Sequence, residues 1–273
     1  MDHLPIDYTG KHVFVAGGTS GINLGIAEAF AAAGARVSVL SRDPAKVERA
    51  TSRLRSLGAE AAGVSADVRD AKAISDAVTS LVASLGPLDV VVSGAAGNFL
   101  CAADQLSPNG FRTVVDIDLN GSFNVMHGCF PHLRKPGASI IHVTAPQSAV
   151  PMRFQVHACA AKAGVDQMTR VLALEWGPVG VRVNAISPGP IDGTEGFQRL
   201  IAPDTQKRET SRRLVPLGRF GSPSDVANLA MFLGSPYAGY ISGAVIPCDG
   251  GGAIDSVKRS LESAGSEVAV NAH

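Results

Sequence analysis

What constrains this chain most is its rhythm, in which short β-branched runs alternate with longer alanine-rich stretches. His12-Val13-Phe14-Val15, Val37-Ser38-Val39-Leu40, Val90-Val91-Val92, Ile140-Ile141-His142-Val143 and Val181-Arg182-Val183 have the length and content of buried strands. The segments between them are too long for hairpins, which gives the β-α-β pattern of a parallel sheet. Ahead of the Val90 run, Ile74, Ala77, Val78, Leu81, Val82 and Leu85 recur at helical spacing and predict a helix packed on a sheet face. The expected fold is α/β, a single-domain Rossmann fold with a doubly wound parallel sheet flanked by helices. It spans residues 1–273, with a core of about 8–252 and a C-terminal tail of 253–273.

Composition narrows the function classes. Lys plus Arg equals Asp plus Glu at 24 each, so no general electrostatic pull toward nucleic acid or an anionic membrane is expected. The first residues carry no signal-peptide pattern and no stretch approaches about 18 apolar residues, so a soluble, cytoplasmic protein is expected. Cys101, Cys129, Cys159 and Cys248 stand at unrelated intervals without a Cys-x-x-Cys pair, which predicts free thiols and neither a metal site nor a disulfide framework. From Gly193 to Pro216 the rhythm lapses into a polar stretch read as a long loop, equally a lid or a surface insertion. After Gly250-Gly251-Gly252 the tail is expected to form a short amphipathic helix through Ile254, Val257 and Leu261, then fray.

Directly after the first strand comes Gly17-Gly18-Thr19-Ser20-Gly21-Ile22-Asn23-Leu24-Gly25, leading into a helix. Glycines there let the backbone turn tightly and approach a pyrophosphate, favoured by the free N–H groups and dipole of a helix start. With a second strand ending about 20 residues later, the turn reads as a dinucleotide fingerprint. That strand ends Leu40-Ser41-Arg42, with no carboxylate at its tip to grip a ribose 2′-hydroxyl. Arg42 can pair with a 2′-phosphate, which predicts NADP(H) over NAD(H); Asp43, one residue on, is the competing feature.

These pieces resemble the short-chain dehydrogenase/reductase family over nearly the full length. The matching motifs are Gly17-x-x-x-Gly21, Asp67-Val68, Gly94-Ala95-Ala96-Gly97, Lys162 and Asn184-Ala185-Ile186-Ser187-Pro188-Gly189-Pro190-Ile191. The resemblance implies that Gly17, Thr19, Ser20, Gly21 and Ile22 form the phosphate turn and that Asp67 and Val68 hold adenine, with Ala95 also at the cofactor. It implies further that Lys162 holds the nicotinamide ribose and that Pro188, Gly189, Ile191 and Thr194 hold the carboxamide. Asn23 stands where the family has its third loop glycine, so a slightly altered helix start is expected.

The family reduces carbonyls with Ser, Tyr and Lys, the phenol serving as general acid. Here the helix reads His157-Ala158-Cys159-Ala160-Ala161-Lys162, with alanine one turn before the lysine, and the serine position is Ala145 beside Thr144. Tyr8, Tyr237 and Tyr240 are the only tyrosines and lie far along the chain from this helix. Two readings follow: a noncatalytic NADP-binding sensor or scaffold, or a reductase whose acceptor needs another proton route.

The second reading is favoured because Ala95-Ala96-Gly97-Asn98-Phe99-Leu100, Leu106-Ser107-Pro108-Asn109 and Asp116-Ile117-Asp118-Leu119-Asn120-Gly121 resemble the peroxisomal-type 2,4-dienoyl-CoA reductases, which also lack the tyrosine. The likeness implies an NADPH-dependent reduction of a 2,4-dienoyl-CoA to a 3-enoyl-CoA. Asn98 would donate to the thioester oxygen of a dienolate, Asp118 would stand in for tyrosine, and Arg69, Phe99 and Ser107 would contact the acyl-CoA. An unassisted Asp, with a pKa of about 3.9, is ionised at neutral pH, so Asp118 is expected to act through an oriented water more than by direct donation. The plainer role for Asp118 is capping a turn near Asn120-Gly121. His157 should face about 100° away from the Ala158–Lys162 side and read as a surface or packed residue, while Gln147 can bind but not titrate. Another enoyl-thioester or carbonyl reductase remains the alternative activity. The family resemblance implies a homotetramer.

Overall fold

A computed structural model describes residues 6–200 and 204–254. Seven strands form one sheet: β1 (His12–Ala16), β2 (Arg36–Ser41), β3 (Ala61–Ser65), β4 (Val90–Ser93), β5 (Ser139–Val143), β6 (Arg182–Pro188) and β7 (Val245–Cys248). Their order is β3-β2-β1-β4-β5-β6-β7 and every neighbouring pair is parallel. The register sets Val13 beside both Val37 and Val90, and Val91 beside Ile140. The chain reverses its direction of winding between β1 and β4, which opens a crevice beyond the carboxyl ends of those strands.

The helices are α1 (Gly21–Ala32), α2 (Pro44–Ser56), α3 (Ala71–Leu85), α4 (Pro108–Val115), α5 (Gly121–Cys129), α6 (Val156–Trp176), α7 (Glu195–Leu200), α8 (Thr205–Arg213) and α9 (Pro223–Gly234). Alternate strand residues serve opposite faces. Val13, Val15 and Val37 pack with Ile26 and Phe30 of α1 and Leu233 of α9. Phe14, Leu40 and Val91 pack with Ile74 of α3, Val125 of α5 and Leu172 of α6. Because both faces are covered, β1 and β5 are buried at every residue, which is why they read as apolar runs rather than alternating patterns.

The helical spacing of Ile74 to Leu85 is realised in α3, whose buried side includes Ile74, Ala77, Val78, Leu81 and Leu85. The Val181-Arg182-Val183 run starts a longer strand that continues through Pro188. The expected long loop from Gly193 to Pro216 is a correction, since it carries α7 and α8. Helix α8 has no buried residue and therefore no apolar period to detect. It is held instead by the Asp204 carboxylate accepting from Lys207 N at 2.8 Å, and by Glu209 pairing with Arg212 and Arg213 one turn on. The tail helix expected through Val257 and Leu261 lies outside the described residues. Among the described residues no helix is long and apolar enough to cross a membrane, and no cluster of His, Cys, Asp and Glu suited to a metal ion occurs.

His142 on β5 is fully buried against α6. The Thr169 hydroxyl donates to Val165 O at 2.9 Å, so at 2.8 Å it accepts from His142 Nδ1, which must carry the imidazole proton. Burial, reinforced by the charge of Lys162, pushes the His142 pKa down to about 4. The unfolded chain binds a proton near pH 6.5 and the folded one does not, so stability should fall as pH drops from about 6.5 toward 4, by up to about 1.4 kcal/mol per unit. Urea titrations of wild type and His142→Gln across that window should show a steeper acid loss in wild type; parallel curves would assign the loss to other groups.

Candidate active site

The residues singled out in the sequence gather at the carboxyl ends of the strands. Gly17, Thr19, Ser20, Gly21 and Ile22 make the turn from β1 into α1, where Gly17 and Gly21 take φ of 78° and 54°, angles that side-chain-bearing residues avoid. A Cβ on Gly17 would stand 3.0 Å from the Ala95 backbone, and one on Gly21 would stand 3.5 Å from Thr194 Cγ2. The bare glycines thus leave a cradle between the β1 turn, the β4 turn and the segment after β6. The Ser20 side chain makes no cap bond to α1. Pro188 ends β6, Gly189 N donates to Cys248 O at 3.0 Å, and Thr194 Oγ1 donates to Ile191 O at 2.9 Å, which fixes the far wall. This hollow, lined by bare glycines at a helix start, fits a dinucleotide.

Asn23 does not disturb the helix start, which is regular from Gly21. Its Nδ2 donates to Gly94 O at 2.7 Å and ties the first helical turn to the β4 turn. At the tip of β2, the Asp43 carboxylate accepts from Ala45 N at 2.9 Å and Lys46 N at 3.2 Å as the N-cap of α2. Arg42 stays exposed beside it. Past β3, Arg69 Nη2 meets Asp67 Oδ2 at 2.6 Å, and these hydrogen bonds hold the Asp67 carboxyl below the usual carboxylate range. Val68 is buried beneath Gly121 of α5, with its carbonyl accepting from Asn124 Nδ2 at 2.9 Å.

Asp118 sits in a π-helical turn, Asp116–Asn120, between α4 and α5, an irregularity that re-aims one residue and recurs at functional sites. Only 1% exposed, it does not cap the Asn120-Gly121 turn. Oδ1 instead accepts from Gly97 N at 2.7 Å, and Oδ2 stands 3.2 Å from Lys162 Nζ. Lys162, 7% exposed, also donates to Val143 O at 3.4 Å. One turn earlier on α6 lies buried Ala158, and at the end of β5 the buried Thr144 hydroxyl has no partner among the described residues. No phenol approaches this pair, because Tyr8 bonds Met231 O on the opposite face and burial pushes its pKa well up.

Directly after Gly97 in the chain comes a set of amides and aromatics. Asn98 Nδ2 donates to Gln155 Oε1 at 2.6 Å, and Gln147 Nε2 reaches the same oxygen at 3.1 Å. Phe99 stacks on His157 with ring centroids 4.4 Å apart, and His157 is fully buried, so the packed alternative holds. Ser107 caps α4 by accepting from Gly110 N at 3.0 Å, and its hydroxyl and the Phe99 ring both lie 3.3 Å from where a Gly110 Cβ would be. Ser107 and Phe99 are therefore neighbours. Gln155 and the Gly97 N–H escaped sequence reasoning. Gln155 has no motif beyond its place just before a helix, and a backbone donor carries no sequence signal.

A family model described as Enoyl-(Acyl carrier protein) reductase matches residues 16–252. The chain belongs to the short-chain dehydrogenase/reductase family. It is 40% identical to an Arabidopsis thaliana protein named peroxisomal 2,4-dienoyl-CoA reductase [(3E)-enoyl-CoA-producing], covering 89% of this chain and 84% of that one. It is 38% identical to a Bacillus subtilis protein named probable 2,4-dienoyl-CoA reductase [(2E)-enoyl-CoA-producing], over 88% and 96%. Among solved structures, a putative short-chain alcohol dehydrogenase from Sinorhizobium meliloti superposes with a TM-score of 0.86 at 30% identity, covering 90% of this chain and 98% of that one. A Pseudomonas aeruginosa RhlG/NADP complex gives 0.85 at 28%, over 92% and 99%.

The buried pair makes its own prediction. Removing only the carboxylate strands an ammonium in the interior, whereas removing both charges does not. Asp118→Leu should cost roughly 3–5 kcal/mol in urea unfolding, and adding Lys162→Met should recover most of it. Simple additivity of the two losses would show that the pair is not coupled.

Proposed function

We propose that this protein catalyses the NADPH-dependent reduction of a 2,4-dienoyl-CoA to a 3-enoyl-CoA. The observation that carries the reading is the buried Asp118–Lys162 pair beside Ala158, a proton-handling group next to the position where the family's phenol is missing. The names of the relatives from Arabidopsis and Bacillus support a dienoyl-CoA as the acceptor. The chain works as one NADP-binding domain and, by family resemblance, as a cytoplasmic homotetramer; the peroxisomal address in the Arabidopsis name belongs to that protein.

Gly17, Thr19, Ser20, Gly21 and Ile22 would hold the pyrophosphate and Arg42 the 2′-phosphate. Asp67 and Val68 would hold adenine, and Lys162 the nicotinamide ribose. Ala95, Pro188, Gly189, Ile191 and Thr194 would complete the wall around the nicotinamide. Hydride is what that cofactor supplies when bound. Reduction at the far end of a conjugated dienoyl thioester moves negative charge onto the thioester oxygen, and Asn98 is the amide donor for it. Phe99 and Ser107 face the acyl portion, and Arg69 meets a CoA phosphate. Both Asp118 oxygens already face donors, Gly97 N and Lys162 Nζ, which supports a carboxylate that orients a water over one that gives up its own proton.

Anaerobic mixing with NADPH and 2,4-hexadienoyl-CoA should bleach the cofactor and diene bands together, and the product should chromatograph as the 3-enoyl isomer. NADPH binding without turnover of this or any other acceptor would leave a sensor or scaffold, and a 2-enoyl product would move the proton route elsewhere. Asp118→Asn should lower kcat by about 10²- to 10⁴-fold with NADPH still bound; near-normal turnover would remove that role. Arg42→Ala should weaken NADPH about tenfold and leave NADH unchanged, and a wild type that strongly prefers NADH would refute the assignment of Arg42.

A further inference from the structure

The start of α6 and the residues before it touch the Asn98–Cys101 segment at three residues. Asn98 Nδ2 donates to Gln155 Oε1 at 2.6 Å, Cys101 N donates to Phe154 O at 2.9 Å, and His157 Nε2 lies 3.1 Å from Phe99 O. A carbonyl only accepts, so the imidazole proton that reaches Phe99 O is on Nε2. The His157 ring also backs the Phe99 ring, at 4.4 Å and an interplanar angle of 26°. His157 is fully buried while Phe99 is 37% exposed, so one face of the phenylalanine rests on a fixed platform and the rest stays accessible.

The backbone shows that this arrangement is imposed. Phe154 holds φ at 66°, the left-handed region, and is the one residue other than glycine with positive φ among the described residues. Its ring is 56% exposed, so burial of that side chain does not account for the strain. What the turn delivers is the Phe154 carbonyl, aimed at Cys101 N, followed by Gln155 and His157 set on their own partners. A strained residue beside a functional loop is the expected mark of such preorganisation.

We propose that residues 154–157 clamp the acceptor-facing segment, with Gln155 and His157 as positioning residues that fix the Asn98 amide and the Phe99 ring. The inference rests on the reading of Asn98 and Phe99 as substrate-facing. Neither positioning residue touches the reacting atoms, and neither is asked to move a proton. The aromatic platform accounts for a buried histidine beside the empty tyrosine position, and the shared oxygen of Gln155 couples Asn98 to Gln147 at 3.1 Å.

The test uses the full-length NADPH complex and three variants. His157→Leu removes donor and platform, Gln155→Leu removes the amide acceptor, and His157→Gln keeps an N–H near the position of Nε2. Amide exchange of the 97–101 segment should rise at least tenfold in His157→Leu and Gln155→Leu. The segment loses its bond at Phe99 O or at Asn98, and the Cys101–Phe154 bond is left to hold it without that support. In both, kcat for 2,4-hexadienoyl-CoA should fall about ten- to hundredfold, with the dissociation constant for NADPH within twofold of wild type. His157→Gln should recover exchange and kcat to within about threefold. Unchanged exchange and kcat in both leucine variants would overturn the clamp, as would a glutamine variant no better than leucine. Gln155 is only half-buried, so its variant answers the question if His157→Leu fails to fold. If wild type does not reduce the dienoyl thioester, the proposed activity falls, while the exchange pattern still decides the clamp.

Discussion

A carboxylate and an ammonium are held out of water together where three pieces of chain meet. Asp118 comes from an irregular turn, Lys162 from the long helix α6, and the Gly97 N–H from the loop after β4. Burying two ions carries a desolvation cost that their attraction offsets only with good geometry and with the remaining donors and acceptors satisfied. Here Asp118 has a donor on each oxygen and Lys162 has a second acceptor in Val143 O. Such a pair is weak as general glue but demanding about position. It fixes the π-turn against α6 and the β4 loop against both, and those elements frame the acceptor side of the crevice.

The parallel sheet around this centre was legible because its physics is periodic. Strands covered on both faces become unbroken valine and isoleucine runs, and α3 displays its buried side at helical spacing. The glycine turn was legible for a different reason, since glycines between a strand and a helix signal a tight turn, and Gly17 and Gly21 do take positive φ. What escaped was structure without an apolar signature. Helix α8 is built from caps and ion pairs on the surface, so a reading based on hydrophobic period sees only a polar stretch. At Arg42-Asp43, Asp43 is occupied as the cap of α2 and Arg42 is exposed.

The acceptor side was legible only in part. Asn98, Phe99, Asp118 and Lys162 stand in recognisable motifs, and the structure brings Asp118 to Lys162 and Phe99 to Ser107. Gln155 was not visible, because its significance lies in meeting Asn98 across 57 positions of sequence. His157 was read as packed or exposed, and what it packs on could not be inferred from its place on one helix. Asn23 was read as a departure with a small effect on the helix start. Its amide bonds Gly94 O and ties the first turn of α1 to the β4 turn.

The two sides of the crevice therefore obey different rules. The glycine-turn side is made of strand ends and backbone, where a Cβ on Gly17 would already stand 3.0 Å from the Ala95 backbone. The acceptor side is made of side chains on a loop, a π-turn and the first turn of α6, all of which can change without disturbing the sheet. On the proposed activity, where charge goes after reduction and which carbon is protonated would depend on groups such as Asn98 and Asp118, while the sheet and its glycine turn stay the same. Loss of the tyrosine is thus a change confined to the adaptable side. One turn from Ala158, Lys162 holds a buried carboxylate, Asp118, at 3.2 Å.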